Sequence, residues 1–331
     1  MPPNCRICGA AASNAKLYIA AEMMFGTREQ FEYFQCTDCG CLQIADIPVD
    51  LSRYYPDGYY SGRVESPLKI WAKGRRVRHE IGRLSPIGAY ISRAYGPDPC
   101  ARAITLGNVK RDDAILDVGS GSGKHLRPLR AAGFRNLLGV DPFTKQEFTS
   151  KGLQIRRSHL QDIDGEYRLI MMHHSFEHMP DPHVVLAAAV RRLTSDGLLL
   201  VRIPILGYGW QTYGVNWAEL DAPRHIYLHT RQSFERLARR HGLDVIDVTF
   251  DSTDLEIWAS EQYLRGIAHT SKHSYAVDHK ASVFTADEIS SFKRLIGEQN
   301  RAEASGRAAF ILRKHAESRS AAAAADQLLA G

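Results

Sequence analysis

Between Ala114 and Pro142 the chain reads AILDVGSGSGKHLRPLRAAGFRNLLGVDP, and this stretch limits the possible folds more than any other. Ile115 to Val118 form a short apolar run suited to a buried parallel strand. Gly119, Gly121 and Gly123 then let the backbone turn sharply and approach a ligand where a side chain would block it. Lys124 to Ala132 follow a helical pattern that Gly133 can cap, and Leu137 to Val140 form a second strand ending at Asp141. A carboxylate at that strand end stands in the crevice where open α/β sheets bind ligands, placed to accept two ribose hydroxyls. The segment reads as a cradle for a nucleoside cofactor.

Dinucleotide dehydrogenases also place a glycine-rich turn here, but the run D-V-G-S-G-S-G lacks a glycine at the sixth position of their motif and carries Asp117 within the strand end. Downstream, Leu169 to His174 form a strand followed by S-F-E-H-M-P-D-P, Gly197 to Ile205 read GLLLVRIPI, and Ala222 to Thr230 read APRHIYLHT. As a set, over roughly Ile104 to Lys314, these resemble the class I S-adenosylmethionine (SAM) methyltransferases, in particular the ubiquinone-type and sugar methyltransferases. The resemblance implies an α/β, Rossmann-like sheet with SAM held by Asp117, Gly119, Gly121, Gly123 and Asp141. It places the adenine against the turn after a third strand, Leu153 to Ser158, at Ser158, Leu160 and Asp162. The acid usually found directly after that strand is displaced here to Asp162.

The chain has 331 residues, enough for one large domain and a small module. Its 42 Lys and Arg exceed its 37 Asp and Glu by five, a mild basic balance that permits an anionic substrate without indicating nucleic acid. No apolar run approaches the ~20 residues that span a bilayer, and the amino terminus, MPPNCRICGA, lacks signal-peptide character, so a cytoplasmic location is expected.

The cysteines divide unevenly. Cys5 and Cys8 form C-R-I-C-G, and Cys36 and Cys39 form C-T-D-C-G, two knuckles whose four thiolates suit one tetrahedral, structural Zn²⁺. Such a metal would hold together a module too small to fold on its own core, over residues 1–50. Redox cysteines or buried thiols would leave the second knuckle unexplained, and Cys41 and Cys100 read as packing residues.

Residues 51–105 form a connector. In its RYYPDGYYSG stretch Tyr54, Tyr55, Tyr59 and Tyr60 either line the mouth of a substrate or SAM pocket or pack as a linker, and the resemblance to sugar C-methyltransferases, in which similar tyrosine-rich connectors follow the zinc module, favours the pocket. An arginine-rich amphipathic helix over 67–83 is either a solvated face or a grip on phosphate, RNA or an anionic lipid surface. The methyltransferase domain is expected over 106–315, with a mainly helical insertion at 256–300 before an antiparallel last strand, Arg307 to Arg313, and an Ala-rich tail at 316–331.

Methyl transfer from a sulfonium needs in-line positioning and, for hydroxyl or carbon acids, a base. His225 is the first candidate, with His174, Glu177 and His178 as further catalytic candidates. Sugar C-methyltransferases carry H-E-H where this chain has P-R-H, so Arg224 replaces a carboxylate. That departure favours O-methylation and suggests that Arg224 holds a phosphate or carboxylate of the substrate, while Tyr208, Trp210, Tyr213 and Trp217 after the fifth strand either stack on a sugar or base or pack the lid. The expected activity is O-methylation of a nucleotide-linked or surface-glycan sugar. An RNA methyltransferase, a sugar C-methyltransferase and a silent SAM-binding scaffold stay open as alternatives.

Overall fold

The computed structural model describes residues 4–55 and 64–315. Three short strands, β1 (Lys16–Ala21), β2 (Gln30–Gln35) and β3 (Leu42–Ile44), form an antiparallel meander beside the cysteine knuckles. Three helices follow: α1 (Pro67–Glu80), α2 (Pro86–Tyr95) and α3 (Pro99–Leu106). Each starts at a Ser-Pro or Asp-Pro pair. Ser66, Ser85 and Asp98 accept hydrogen bonds from the first-turn amides, and the proline fills a position whose N–H would have no helical partner.

The large sheet begins with β4 (Ile115–Val118), followed by α4 (Leu126–Ala132), β5 (Leu137–Val140), β6 (Phe148–Ser150), β7 (Leu153–Arg156), β8 (Tyr167–His173), α5 (Pro182–Arg192) and β9 (Leu193–Pro204). After it come α6 (Tyr208–Tyr213), the two-residue β10 (Tyr227–Leu228), α7 (Arg231–Arg240), β11 (Leu243–Phe250), α8 (Leu255–Leu264), α9 (Ala286–Arg301) and β12 (Arg307–Lys314). Its eight strands run in the order β11-β12-β9-β8-β4-β5-β7-β6. The pairs from β9 to β7 are parallel, while β12 enters antiparallel between β9 and β11. This is a mixed α/β sheet, parallel at its centre. Because β4 is flanked by β5 on one side and β8 on the other, the connections leave it in opposite directions and open a crevice at its carboxyl end. All seven side chains of β8 except that of Arg168 are buried, as a central parallel strand requires.

Several local expectations shift. The helix after the glycine turn starts at Leu126 rather than Lys124, because the tight turns run on through His125. The third strand ends at Arg156, where Arg157 swings away to bond Glu147 and Thr144. Between β5 and β7 the chain makes a hairpin, β6 pairing antiparallel with β7. The segment 256–300 consists of α8 and α9 separated by an irregular stretch, and α9 opens with a capping box of Thr285 and Glu288.

The meander is not a separate body. β10, from far along the chain, pairs with β3 and completes a four-stranded sheet of order β1-β2-β3-β10. One apolar core therefore contains Ile7, Leu42 and Ile44 together with Phe176, Tyr227, Phe234 and Phe310. No helix among the described residues is long and apolar enough to cross a membrane.

Candidate functional site

At the carboxyl end of β4 the backbone adopts positive φ at Gly119 (76°), Gly121 (51°) and Gly123 (81°). A Cβ on Gly119 would collide with Ser175 Cβ, and one on Gly123 with Ile155 Cδ1, so both the conformation and the space require glycine. Asp141, at the end of β5, spans the turn: its carboxylate accepts hydrogen bonds from the Gly121 amide at 2.9 Å and the Phe143 amide at 2.8 Å. Asp117 is buried with one carboxylate oxygen unpartnered, and burial together with the Asp141 charge pushes its pKa up to about 8. This side-chain-free cradle, with a buried polar atom lacking a partner beside it, fits the nucleoside and methionine parts of SAM. Of the residues expected near the adenine, Leu160 is buried, Asp162 is exposed, and the Ser158 hydroxyl donates to the His159 carbonyl at 3.2 Å. Sequence reasoning passed over Phe143, 88% exposed two residues beyond Asp141. A large apolar side chain after the strand-end acid was the available signal.

On the β8 side of the crevice, His174 leaves the strand with φ 49°, an uncommon conformation for a non-glycine residue. Its Nδ1 lies 3.5 Å from Glu177 Oε1. Glu177 is 1% exposed and neither carboxylate oxygen has a hydrogen-bond partner. Burial, followed by the charges of Glu219 and Asp221, pushes its pKa up to about 8. His225 Nε2 approaches from the opposite wall, 4.0 Å from Glu177 Oε1 and 3.9 Å from Asp221 Oδ2. Its Nδ1 is 2.8 Å from the Glu219 carbonyl, which can only accept, so Nδ1 carries the proton and Nε2 presents a lone pair. Burial holds the His225 pKa below the ordinary imidazole value, partly offset by Asp221. His178 repeats the pattern, with Nδ1 2.8 Å from the Arg224 carbonyl, and Tyr55 Oη stands 3.2 Å from the same nitrogen. One buried carboxyl and two imidazole lone pairs therefore converge, with ligand atoms of Glu177, His178 and His225 within 4.8 Å of one another.

His173, the last residue of β8, faces the other side of the strand, where it stacks on His125 at 3.9 Å and meets Cys100 Sγ at 3.2 Å. His229 is buried against Phe176 and bonds the Ser233 hydroxyl at 2.9 Å.

Two expected substrate contacts are corrected. Arg224 is fully buried, and its guanidinium bonds Asp221 at 2.6 and 2.9 Å, Glu22 at 3.0 Å and the Tyr54 carbonyl at 3.1 Å. Its charge is neutralised inside the protein, so it offers no grip for a substrate anion. Asp221 in turn is held at about 2: burial would raise it, but Arg224 outweighs burial. Trp217 is 1% exposed and packed against Gly209 and Gly306, leaving its ring no face for a sugar. Tyr59 and Tyr60 lie outside the described residues. Of the other aromatic residues after β9, Trp210 packs edge-on against Tyr18 of β1 at 5.0 Å.

The four knuckle thiols are buried, with Cys5 and Cys39 Sγ 3.6 Å apart, Cys8 and Cys36 Sγ 3.6 Å apart, and all four within 4.8 Å. Four sulfurs at ~2.3 Å from a tetrahedral Zn²⁺ stand ~3.8 Å from one another, so the set fits that ion. Gln43 Nε2 donates to Cys5 Sγ at 2.8 Å, the kind of outer contact that steadies a thiolate ligand. Cys41 and Cys100 are buried outside this set, and Cys41 Sγ donates to the Leu228 carbonyl at 3.2 Å.

Residues 90–248 match a family described as a methyltransferase domain. Over 166 residues the chain is 30% identical to C-methyltransferase NovU of Streptomyces niveus, a match covering 46% of this chain and 37% of that protein. The chain thus spans well under half the length of this curated relative. Among solved structures, it is similar to the cyclopropane synthase MmaA2 of Mycobacterium tuberculosis (15% identity, TM-score 0.43, covering 65% of this chain and 84% of that one). It is also similar to the 1,6-didemethyltoxoflavin-N1-methyltransferase of Burkholderia thailandensis (13% identity, TM-score 0.41, covering 85% and 98%). Over residues 90–248, just under half of the chain, the matched methyltransferase domain takes in the glycine cradle, Glu177 and His225, and the four-cysteine module is folded onto it.

Proposed function

We propose that this protein transfers a methyl group from SAM to a hydroxyl of a small carbohydrate, nucleotide-linked or part of a surface glycan, with His225 as the base. The observation that carries the reading is the unprotonated Nε2 of His225 standing 4.0 Å from the buried Glu177 carboxyl. SAM, when bound, supplies a methyl already activated on sulfonium. The glycine cradle and Asp141 hold the nucleoside end, and Asp117 lies beneath it. His225 Nε2 takes the acceptor proton, while its Nδ1–H stays on the Glu219 carbonyl and fixes the ring. Glu177, carrying its proton at neutral pH, has a hydrogen bond to donate to the acceptor. The four cysteines hold a structural Zn²⁺.

A second reading, C-methylation, is favoured by two observations. The carboxylate missing beside His225 in sequence is replaced in space by Glu177, and the relative named above is a C-methyltransferase. Incubating the protein with methyl-labelled SAM and a fractionated cell extract, then scoring nucleotide-sugar, polysaccharide, RNA and lipid pools, tests both. Label in a carbohydrate pool, with the methyl on oxygen by NMR, supports the first reading, and a methyl on carbon selects the second. Label confined to RNA refutes both.

A further inference from the structure

The segment that carries His225 is tied, residue by residue, to the cysteine module. The His225 carbonyl accepts the Tyr33 hydroxyl at 2.9 Å, and the Ile226 carbonyl accepts the Ile44 amide at 2.9 Å. Tyr227 and Leu228 lie opposite Gln43 and Leu42 in the β3–β10 ladder, and the Leu228 carbonyl also accepts the Cys41 thiol. On its other side the same segment meets the turn bearing Glu177: the Ile226 amide donates to the Glu177 carbonyl at 2.9 Å, and the Tyr227 hydroxyl bonds Phe176 and Met179 carbonyls at 2.7 Å. Tyr33, Leu42, Gln43, Ile44, Tyr227 and Leu228 are all at most 1% exposed, so the ladder has no solvent to replace a lost partner. Gln43 is the hinge of this arrangement. Its backbone is in the ladder, its Nε2 is on Cys5 Sγ at 2.8 Å, and its Oε1 accepts the Arg6 amide of the first knuckle at 2.9 Å.

We propose that Tyr33 is a positioning residue for His225, and that the metal-bound cysteine cluster, acting through Gln43 and the β3–β10 ladder, sets where His225 Nε2 stands opposite Glu177. The proposal rests on the reading of His225 as the base. It gives the module a role in the chemistry through the segment that carries His225. In a two-residue strand the register is held by few contacts, and a slip by one residue would exchange the faces of Tyr227 and Leu228 and swing His225 out of its pocket.

The test follows the His225 imidazole directly. In ¹⁵N-histidine-labelled holoprotein, with the His225 signal assigned from His225→Gln, the intact molecule shows the Nδ1–H tautomer and a titration midpoint below ~6.5. Tyr33→Phe keeps the ring packing and the cysteine cluster. It is expected to retain its zinc and to bind S-adenosylhomocysteine within about twofold of the original, while the His225 midpoint rises toward ~6.5 and the tautomers mix. Turnover of the labelled acceptor pool then falls about tenfold or more at unchanged SAM affinity. Removing the metal with a chelator moves the same signal the same way, and adding Zn²⁺ restores it. A His225 signal unmoved in folded Tyr33→Phe overturns the proposal, even if chelation unfolds the protein. The two readings fail separately: if His225→Gln leaves methyl transfer undiminished, His225 is not the base, whereas the NMR signal reports Tyr33's hold on the ring in either case.

Discussion

Glu177 is a carboxyl folded into a place where burial outweighs the compensation its charge receives, and this has a measurable consequence. Both oxygens are buried without a hydrogen bond, and the pKa stands at about 8 against an ordinary 4.5. Between those values the folded protein holds a proton that the unfolded chain has released, so stability falls as pH rises through this window and levels off above about 8. At ~1.36 kcal/mol per pH unit, the displacement corresponds to about 5 kcal/mol lost by pH 9, of which about 3 kcal/mol is already lost at pH 7. Glu177→Gln has nearly the same shape and cannot ionise. Relative to the parent it should be close to neutral at pH 5 and more stable by several kcal/mol at pH 9. Urea unfolding of both proteins at pH 5, 7 and 9, without ligand, measures the difference, and the other titrating groups cancel because both proteins share them. A difference in stability that stays constant across pH would refute the reasoning, since it would mean that the Glu177 carboxylate ionises normally inside the fold and has found a partner.

Gly119→Ala places a β-carbon against Ser175 in a backbone of φ 76°, a conformation that costs an L-residue about 1–2 kcal/mol before any clash. SAM affinity by calorimetry should fall at least about tenfold, and unchanged affinity would remove the cradle from the SAM site. Turnover should follow a bell in pH. The acidic limb lies below ~6.5, where His225 gains a proton, and the alkaline limb lies near 8, where Glu177 loses one; Glu177→Gln should flatten the alkaline limb alone. Arg224→Met strands Glu22 and Asp221 as buried carboxylates and should cost about 3–5 kcal/mol in chemical denaturation. A loss below about 1 kcal/mol would mean that solvent reaches them.

The parts of this molecule that could be read from sequence are those whose causes are local. The glycine turn, the acid at the end of β5 and the two cysteine knuckles each carry their geometry within a few residues. Parallel strands betray themselves as uninterrupted apolar runs such as Leu169 to Met172. What could not be read depends on partners far along the chain. Two residues, Tyr227 and Leu228, are too short a run to announce a strand, and they become one only because β3 presents an open edge. Trp217 and Arg224 look from sequence like aromatic and cationic residues after a strand, the types that bind sugars and anions. Nothing near them reveals that Gly209 and Gly306 leave room for the indole, or that Glu22, distant in sequence, awaits the guanidinium.

Arg224 shows why such a substitution is hard to interpret along the chain alone. Read as a replacement of Glu in an H-E-H motif, it removes a carboxylate from the neighbourhood of His225 and argues against abstraction of a carbon-bound proton. In three dimensions His225 Nε2 still faces two carboxyl groups, Glu177 at 4.0 Å and Asp221 at 3.9 Å. The two are not equivalent: Arg224 keeps Asp221 ionised, whereas burial keeps Glu177 protonated at neutral pH. With His225 as the base proposed above, the pair would provide one fixed negative charge to stabilise an imidazolium and one proton donor for a developing oxyanion. An enolate and an alkoxide would both be served by that arrangement, so the arginine does not decide between carbon and oxygen as the methyl acceptor. The choice falls to which atom of the bound acceptor lies between His225 Nε2 and the sulfonium methyl.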